Sequence, residues 1–106
     1  MISTHILDTH LGKPAANVIV QLFDANNQLL AESQTNADGR ISDFQLSHDE
    51  AGDFSLAFFT ADYFQHLGLA TFFPKAVIHF SISDTTQHYH IPLLISPFAY
   101  STYRGS

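Results

Sequence analysis

Short runs of alternating apolar and polar residues, divided by clusters of Gly, Asn, Asp and Pro, fill most of this chain. Alternation at every second position predicts strands with one buried face. Ser3 to Thr9 is the first run, and Leu11-Gly12-Lys13-Pro14 turns it. Asn17 to Asp24 sets Val18, Val20 and Leu22 against Ile19, Gln21 and Phe23. Ala25-Asn26-Asn27 makes a hairpin turn, and Gln28 to Thr35 returns. Asn36-Ala37-Asp38-Gly39 is a strong turn, because Asn, Asp and Gly tolerate positive φ. A short strand over Arg40 to Phe44, a polar loop from Leu46 to Gly52 and a Phe-rich strand over Asp53 to Thr60 follow.

Thr60 to Leu67 is the one segment that predicts a helix. Thr60 can cap it, Asp62 suits the positive end of the helix dipole, and Gly68 stops it. At about two turns it needs a sheet to pack on. Strands over Ala76 to Ser83, His88 to Ile95 and Phe98 to Tyr103 complete the chain, with Asp84-Thr85-Thr86 as a turn. About eight strands and one short helix predict an all-β fold, an antiparallel sandwich, as a single domain over residues 1–106.

Hydrophobic residues make up 45% of the 106, and ten phenylalanines supply a large core. Charged residues are only 13%, well below the usual quarter, so part of the surface is expected to be covered by partner subunits. The net charge of −6, with Lys13, Arg40, Lys75 and Arg104 as the only cations, argues against nucleic acid as a partner. No cysteine is present, so neither disulfides nor thiol chemistry enter. Met1 leads directly into a strand pattern without a signal or membrane-spanning run, from which a cytoplasmic protein and no membrane partner are expected; a periplasmic one would follow if the chain is a processed form.

Period-two alternation also assigns faces. His88, His90, Pro92 and Leu94 share one face of their strand, opposite the core set Tyr89, Ile91, Leu93 and Ile95. Ser3, His5 and Leu7 share a face of the first strand, and Ser101 and Tyr103 share one of the last. A surface combining these residues mixes apolar and polar groups, which suits a ligand channel or subunit interface. A lone strand histidine is more often a packing residue than a catalyst. His88-x-His90 has metal-ligand spacing, but no nearby Cys, Asp or Glu completes a set, so no metal is expected. His10, His48, His66 and His79 show no evident partner, and Asp8 fits a cap on the turn into Gly12. The pattern itself ends at a β-sandwich oligomer with a candidate His/Arg site.

Three blocks add to this: Ser3-Thr4-His5-Ile6-Leu7-Asp8-Thr9 with Gly12-Lys13-Pro14-Ala15, Asp38-Gly39-Arg40, and His88 to Ser106 with its Tyr-Arg-Gly-Ser ending. With Asp62-Tyr63-Phe64 and Phe72-Phe73-Pro74, the chain resembles the 5-hydroxyisourate hydrolases, the transthyretin-related enzymes of purine breakdown, over essentially its whole length. The resemblance implies a transthyretin-like sandwich of two four-stranded sheets with one short helix. It implies a homotetramer with sites in the channel between dimers. It maps a catalytic trio onto His5, Arg40 and His90, with Ser106 at the same site. The family's usual Tyr-Gly-Tyr after Ser-Pro is Phe98-Ala99-Tyr100 here, a change in strand packing rather than in the trio. Transthyretin itself, a hormone carrier, shares the fold, but its lineage lacks the two histidines and the Tyr-Arg-Gly-Ser ending.

The expected reaction is hydrolysis of 5-hydroxyisourate to 2-oxo-4-hydroxy-4-carboxy-5-ureidoimidazoline, with no cofactor. Histidine can take a proton from water near neutral pH and return it to a leaving nitrogen. One of His5 and His90 is read as the general base, His90 being favoured, and the other as orienting it or the substrate, with Arg40 as the grip on the developing oxyanion. Tyr103, Arg104, Ser106, Leu94 and Ser101 are expected to shape the substrate site. The alternative is a non-catalytic carrier of a small aromatic ligand.

Overall fold

A computed structural model describes residues 1–46 and 50–106. His48, with residues 47–49 of the polar loop expected between Leu46 and Gly52, lies outside the described residues. The element order is β1 (Ile2–Asp8), β2 (Lys13–Pro14), β3 (Ile19–Phe23), β4 (Leu29–Gln34), β5 (Arg40–Ile41), β6 (Gly52–Phe58), α1 (Thr60–His66), β7 (Ala76–Ile82), β8 (Tyr89–Ser96) and β9 (Ala99–Thr102).

These strands form two sheets, β2-β1-β8-β9 with β5 also on β1, and β4-β3-β6-β7. The first sheet therefore has five strands rather than four. Two short strands share one edge of β1: β2 pairs with Leu7 and Asp8, and β5 pairs with Thr4 and His5. A second difference is orientation. β1 and β8 run parallel, Ile2 opposite Tyr89 through Asp8 opposite Ile95, inside an otherwise antiparallel arrangement. Alternation assigns a strand's faces but is blind to which neighbour it takes, so this pairing is invisible in the pattern.

The core lies between the sheets, as the alternation requires. Ile6, Leu93 and Ile95 from one sheet meet Val20, Leu22, Leu56 and Phe58 from the other. Phe64 of α1 is fully buried against them. The helix ends as expected: Gly68 N–H donates to the Gln65 carbonyl and Leu69 N–H to the Phe64 carbonyl. It does not begin as expected. Phe59 occupies the N-cap without a side-chain hydrogen bond, and Thr60 is the first helical residue, buried. Packing of the aromatic face decides that entry, not a hydroxyl cap. Among the described residues no helix is long and apolar enough to cross a membrane.

Candidate active site

β1 carries two chemically useful residues on its outer face, Ser3 and His5, and neighbours on both sides complete the group. On one side, antiparallel β5 sets Arg40 opposite His5. On the other, parallel β8 sets His90 opposite Ser3 and Pro92 opposite His5. Residues far apart in sequence, such as Ser3 and His90, thus become lateral neighbours on one sheet.

The turn before β5 fixes where Arg40 emerges. The Asn36 side-chain oxygen accepts from Asp38 N–H at 2.9 Å and Arg40 N–H at 3.0 Å. Gly39 has φ of +73°, and a Cβ there would lie 2.6 Å from the Ile6 carbonyl oxygen. Only glycine allows this approach, which lets Ile6 N–H donate to the Gly39 carbonyl at 2.8 Å. The Asp38-Gly39-Arg40 motif is therefore a device that clips the arginine's turn onto β1.

His90 is held from three directions. The Ser3 hydroxyl lies 2.7 Å from His90 Nδ1 and also 2.7 Å from His88 Nε2. Gly105 N–H donates to the His90 carbonyl at 2.9 Å. Gly105 also lies against the imidazole ring, where a Cβ would meet Cδ2 at 2.5 Å. With Nδ1 committed to Ser3, Nε2 is the ring nitrogen left for chemistry. A shallow hollow of about 230 Å³ opens here, lined by Ser3, Arg40, Ser42, His88, His90 and Ser106 among others. Hollows of about 630 Å³ beside α1 and about 430 Å³ at the β3–β4 end are larger but include none of the trio.

Electrostatics ties the trio together. The His5 pKa is lowered from its ordinary 6.5, first by burial and then by the Arg40 charge, with the Asp38 backbone and carboxylate pulling the other way. The His90 pKa is lowered too, first by burial, then by Arg40, His88 and His5. Both rings are thereby kept neutral near pH 7, the form in which a ring nitrogen can accept a proton. Arg40 stays charged beside them and presents a fork of donors.

The remaining predicted site residues divide. Ser106 lines the hollow with His90. Leu94 and Ser101 lie opposite each other on β8 and β9, with Leu7 opposite Leu94, as a mixed row farther along the same face. Arg104 turns away: its guanidinium sits 4.7 Å from the Tyr89 ring centroid and donates to the Gln87 side chain at 3.0 Å. Tyr103 and Arg104 border a second hollow of about 290 Å³, which His90 also lines, with His79, Phe80 and Tyr89. Three contributors escape the sequence reading as site residues: Ser3, His88 and Gly105. The shared faces of Ser3 with His5 and of His88 with His90 were the available signal. Nothing local marks Gly105, whose role comes from the close approach of the last residues to β8.

A two-sheet sandwich with a single short helix, carrying two histidines and an arginine on one outer face, defines a transthyretin-like protein equipped for acid–base chemistry. The chain matches the HIUase/Transthyretin family model over residues 2–105, and it belongs to that family. It is 44% identical over 110 residues to the 5-hydroxyisourate hydrolase of Salmonella typhimurium, covering 100% of this chain and 81% of that protein. The 5-hydroxyisourate hydrolase structure of Klebsiella pneumoniae superposes with a TM-score of 0.91 at 43% identity, covering 99% of this chain and 98% of that one. Sea bream transthyretin in complex with thyroxine superposes with a TM-score of 0.91 at 28% identity, covering 98% and 93%.

Proposed function

We propose that this protein hydrolyses 5-hydroxyisourate by histidine-assisted attack of water on the cyclic amide. The observation that carries the reading is the register of β5, β1 and β8, which brings Arg40, His5 and His90 together on a face that also holds a hollow. Neutral His90 accepts the proton of the attacking water at Nε2. The Arg40 donors stabilise the negative charge that develops on the carbonyl oxygen. The proton held by His90 then passes to the leaving nitrogen, so acid and base are the same ring at successive moments. His5, opposite Arg40, helps to orient the substrate oxygens and the guanidinium.

The site we assign includes Ser106 as a wall of the hollow, and Leu94 with Ser101 as its apolar-to-polar extension. Tyr103 and Arg104 contribute at the outer margin. We further propose a homotetramer with these faces opposed across a channel. Support comes from the low charge content and from exposed apolar residues such as Phe98, Phe72 and Leu7. The cytoplasm is the compartment we assign, and cell fractionation tests it.

The decisive experiment uses freshly generated 5-hydroxyisourate, from urate and urate oxidase, which decays spontaneously. Micromolar protein should accelerate the loss of its ultraviolet absorbance. No acceleration, with saturable binding of a small aromatic ligand instead, would replace the hydrolase with a carrier.

A further inference from the structure

The Ser3 hydroxyl is buried, only 4% of the residue being exposed, and it touches two imidazole rings at once. We propose that His88, Ser3 and His90 form a proton relay, in which Ser3 sets the tautomer of His90 and exposed His88 connects the relay to solvent. This rests on the hydrolase reading for its catalytic use, though not for its existence.

The Ser3 oxygen has one hydrogen and two lone pairs; accepting from both rings would leave its buried O–H without an acceptor, so it donates to one ring nitrogen and accepts from the other. Two arrangements follow for neutral rings. In the first, His90 Nδ1–H donates to Ser3, and Ser3 O–H donates to His88 Nε2. His90 Nε2 then carries a lone pair and is a base. In the second, His88 Nε2–H donates to Ser3, and Ser3 O–H donates to His90 Nδ1. His90 Nε2 then carries a hydrogen and is an acid. The tautomers of the two histidines are thus locked to each other through one oxygen.

The relay answers a problem posed by Arg40. When His90 Nε2 takes a proton from water, it becomes an imidazolium beside a guanidinium. In the relay, the Nδ1 proton moves to Ser3 Oγ as the Ser3 proton moves to His88 Nε2. The positive charge then rests on His88, at the exposed end, and His90 is neutral with its proton on Nε2. Donation of that proton to the leaving nitrogen, with return of a proton from His88 through Ser3 to Nδ1, restores the starting state. The net transfer is one proton from water to nitrogen.

Protonating His88 beforehand makes both of its nitrogens donors. Ser3 then accepts from His88, and its buried O–H is satisfied by donating to His90 Nδ1, which places the His90 proton on Nε2 and removes the base. The other charged and titratable groups around His90 are Arg40 from β5 and His5 from β1, with His79 from β7 and Tyr103 and Arg104 after β9 bordering a hollow that His90 also lines. Arg40 and His5 act on it electrostatically but do not touch Nδ1.

The test is nitrogen-15 NMR of the imidazole rings, without substrate, in the wild type, Ser3→Ala and Ser3→Thr, paired with steady-state kinetics. In the wild type, the His90 nitrogen shifts should follow the titration of His88. Ser3→Ala should abolish that coupling and lower kcat by about 10- to 100-fold with KM within about twofold, because part of the general acid–base contribution is lost. Ser3→Thr, which keeps the hydroxyl, should recover the coupling and most of the kcat. His90 shifts that are the same in Ser3→Ala as in the wild type would overturn the relay, as would an unchanged kcat in a folded Ser3→Ala. Coupled titration in a protein that does not hydrolyse 5-hydroxyisourate would uphold the relay and discard the hydrolase reading.

Discussion

Gly105 and His90 are in contact so close that no side chain fits between them: a Cβ on Gly105 would lie 2.5 Å from His90 Cδ2 and 3.2 Å from Cγ. The ring cannot retreat freely, because Ser3 holds Nδ1 on its other side. Gly105→Ala should therefore move the imidazole or push the last residues off β8. Overpacking of this kind costs about 1–3 kcal/mol, whereas a catalytic group displaced by about 1 Å can lose about 100-fold in rate. The expected variant is folded, modestly destabilised and poorly active. Near-native turnover in a folded Gly105→Ala would mean that His90 need not sit where it does.

Replacing His5, Arg40 or His90 by alanine should lower turnover by at least about 100-fold, since acid–base and oxyanion contributions are each of that order. His90→Ala removes the proton carrier and should leave KM little changed. Arg40→Ala removes donors that also grip ground-state oxygens, so KM should rise together with the fall in kcat. Ultraviolet decay assays across a substrate series separate the two patterns. A residue whose alanine variant retains near-native turnover leaves the trio.

Acid sensitivity follows from the two lowered histidine pKa values, caused first by burial and next by Arg40. The acid limb of kcat/KM should lie below the ordinary histidine pKa of about 6.5. Arg40→Gln removes a positive charge, so the limb of its residual activity should move to higher pH. Stability has the same sign. Between the folded and unfolded pKa values the unfolded chain holds more protons, so stability rises with pH across that window and levels off above about 6.5. Urea unfolding at several pH values would expose a contrary slope, in which acidification through this window stabilises the fold.

The strands, their faces and the single helix were legible because burial on one side imposes a period of two, and this chain keeps it: Tyr89, Ile91, Leu93 and Ile95 are buried as the alternation requires. The same logic placed His5 and His90 outward. It could not place them beside each other, because lateral pairing of β1 with β8 depends on register across more than eighty residues. Arg40 opposite His5 was legible only through the resemblance of Asp38-Gly39-Arg40 to a family motif. The contacts of Arg104 were not legible in the sequence. This rare cation places its guanidinium over the Tyr89 ring, where it gains by stacking, while the residue borders a hollow that His90 also lines.

Away from the site, Asp8 and Tyr63 join the β1–β2 turn to α1. Asp8 is fully buried, and its carboxylate accepts from His10 N–H at 2.8 Å, Leu11 N–H at 3.0 Å and the Tyr63 hydroxyl at 2.7 Å. Burial, reinforced by Asp8, holds the Tyr63 hydroxyl protonated far above its ordinary range. Tyr63→Phe deletes one hydrogen bond to a charged acceptor and should cost about 1.5–3 kcal/mol in urea unfolding. Asp8→Ala strands all three donors and should cost more. Turnover per folded molecule of Tyr63→Phe should match the wild type; a fall to the level of the trio variants would place α1 in the catalytic apparatus.

The hollow at His90 holds about 230 Å³ and is open, below the roughly 300–1,000 Å³ of sites that enclose small ligands. A single chain therefore lacks the walls to shut bulk water away from a developing oxyanion. A further wall is expected from a second subunit laid across the same face, where Leu7, Leu94 and Ser101 form a partly to fully exposed row. Leu94 is only partly buried there, so a charge at this position is tolerable in the isolated chain but not in a dry interface. Leu94→Glu should consequently yield a folded protein that sediments as a smaller species and has lost most of its turnover, with His90 still held by Ser3. Wild-type specific activity should likewise fall on dilution through the dissociation range. A fully active monomer, seen by sedimentation and assay at the same concentration, would show that one face suffices.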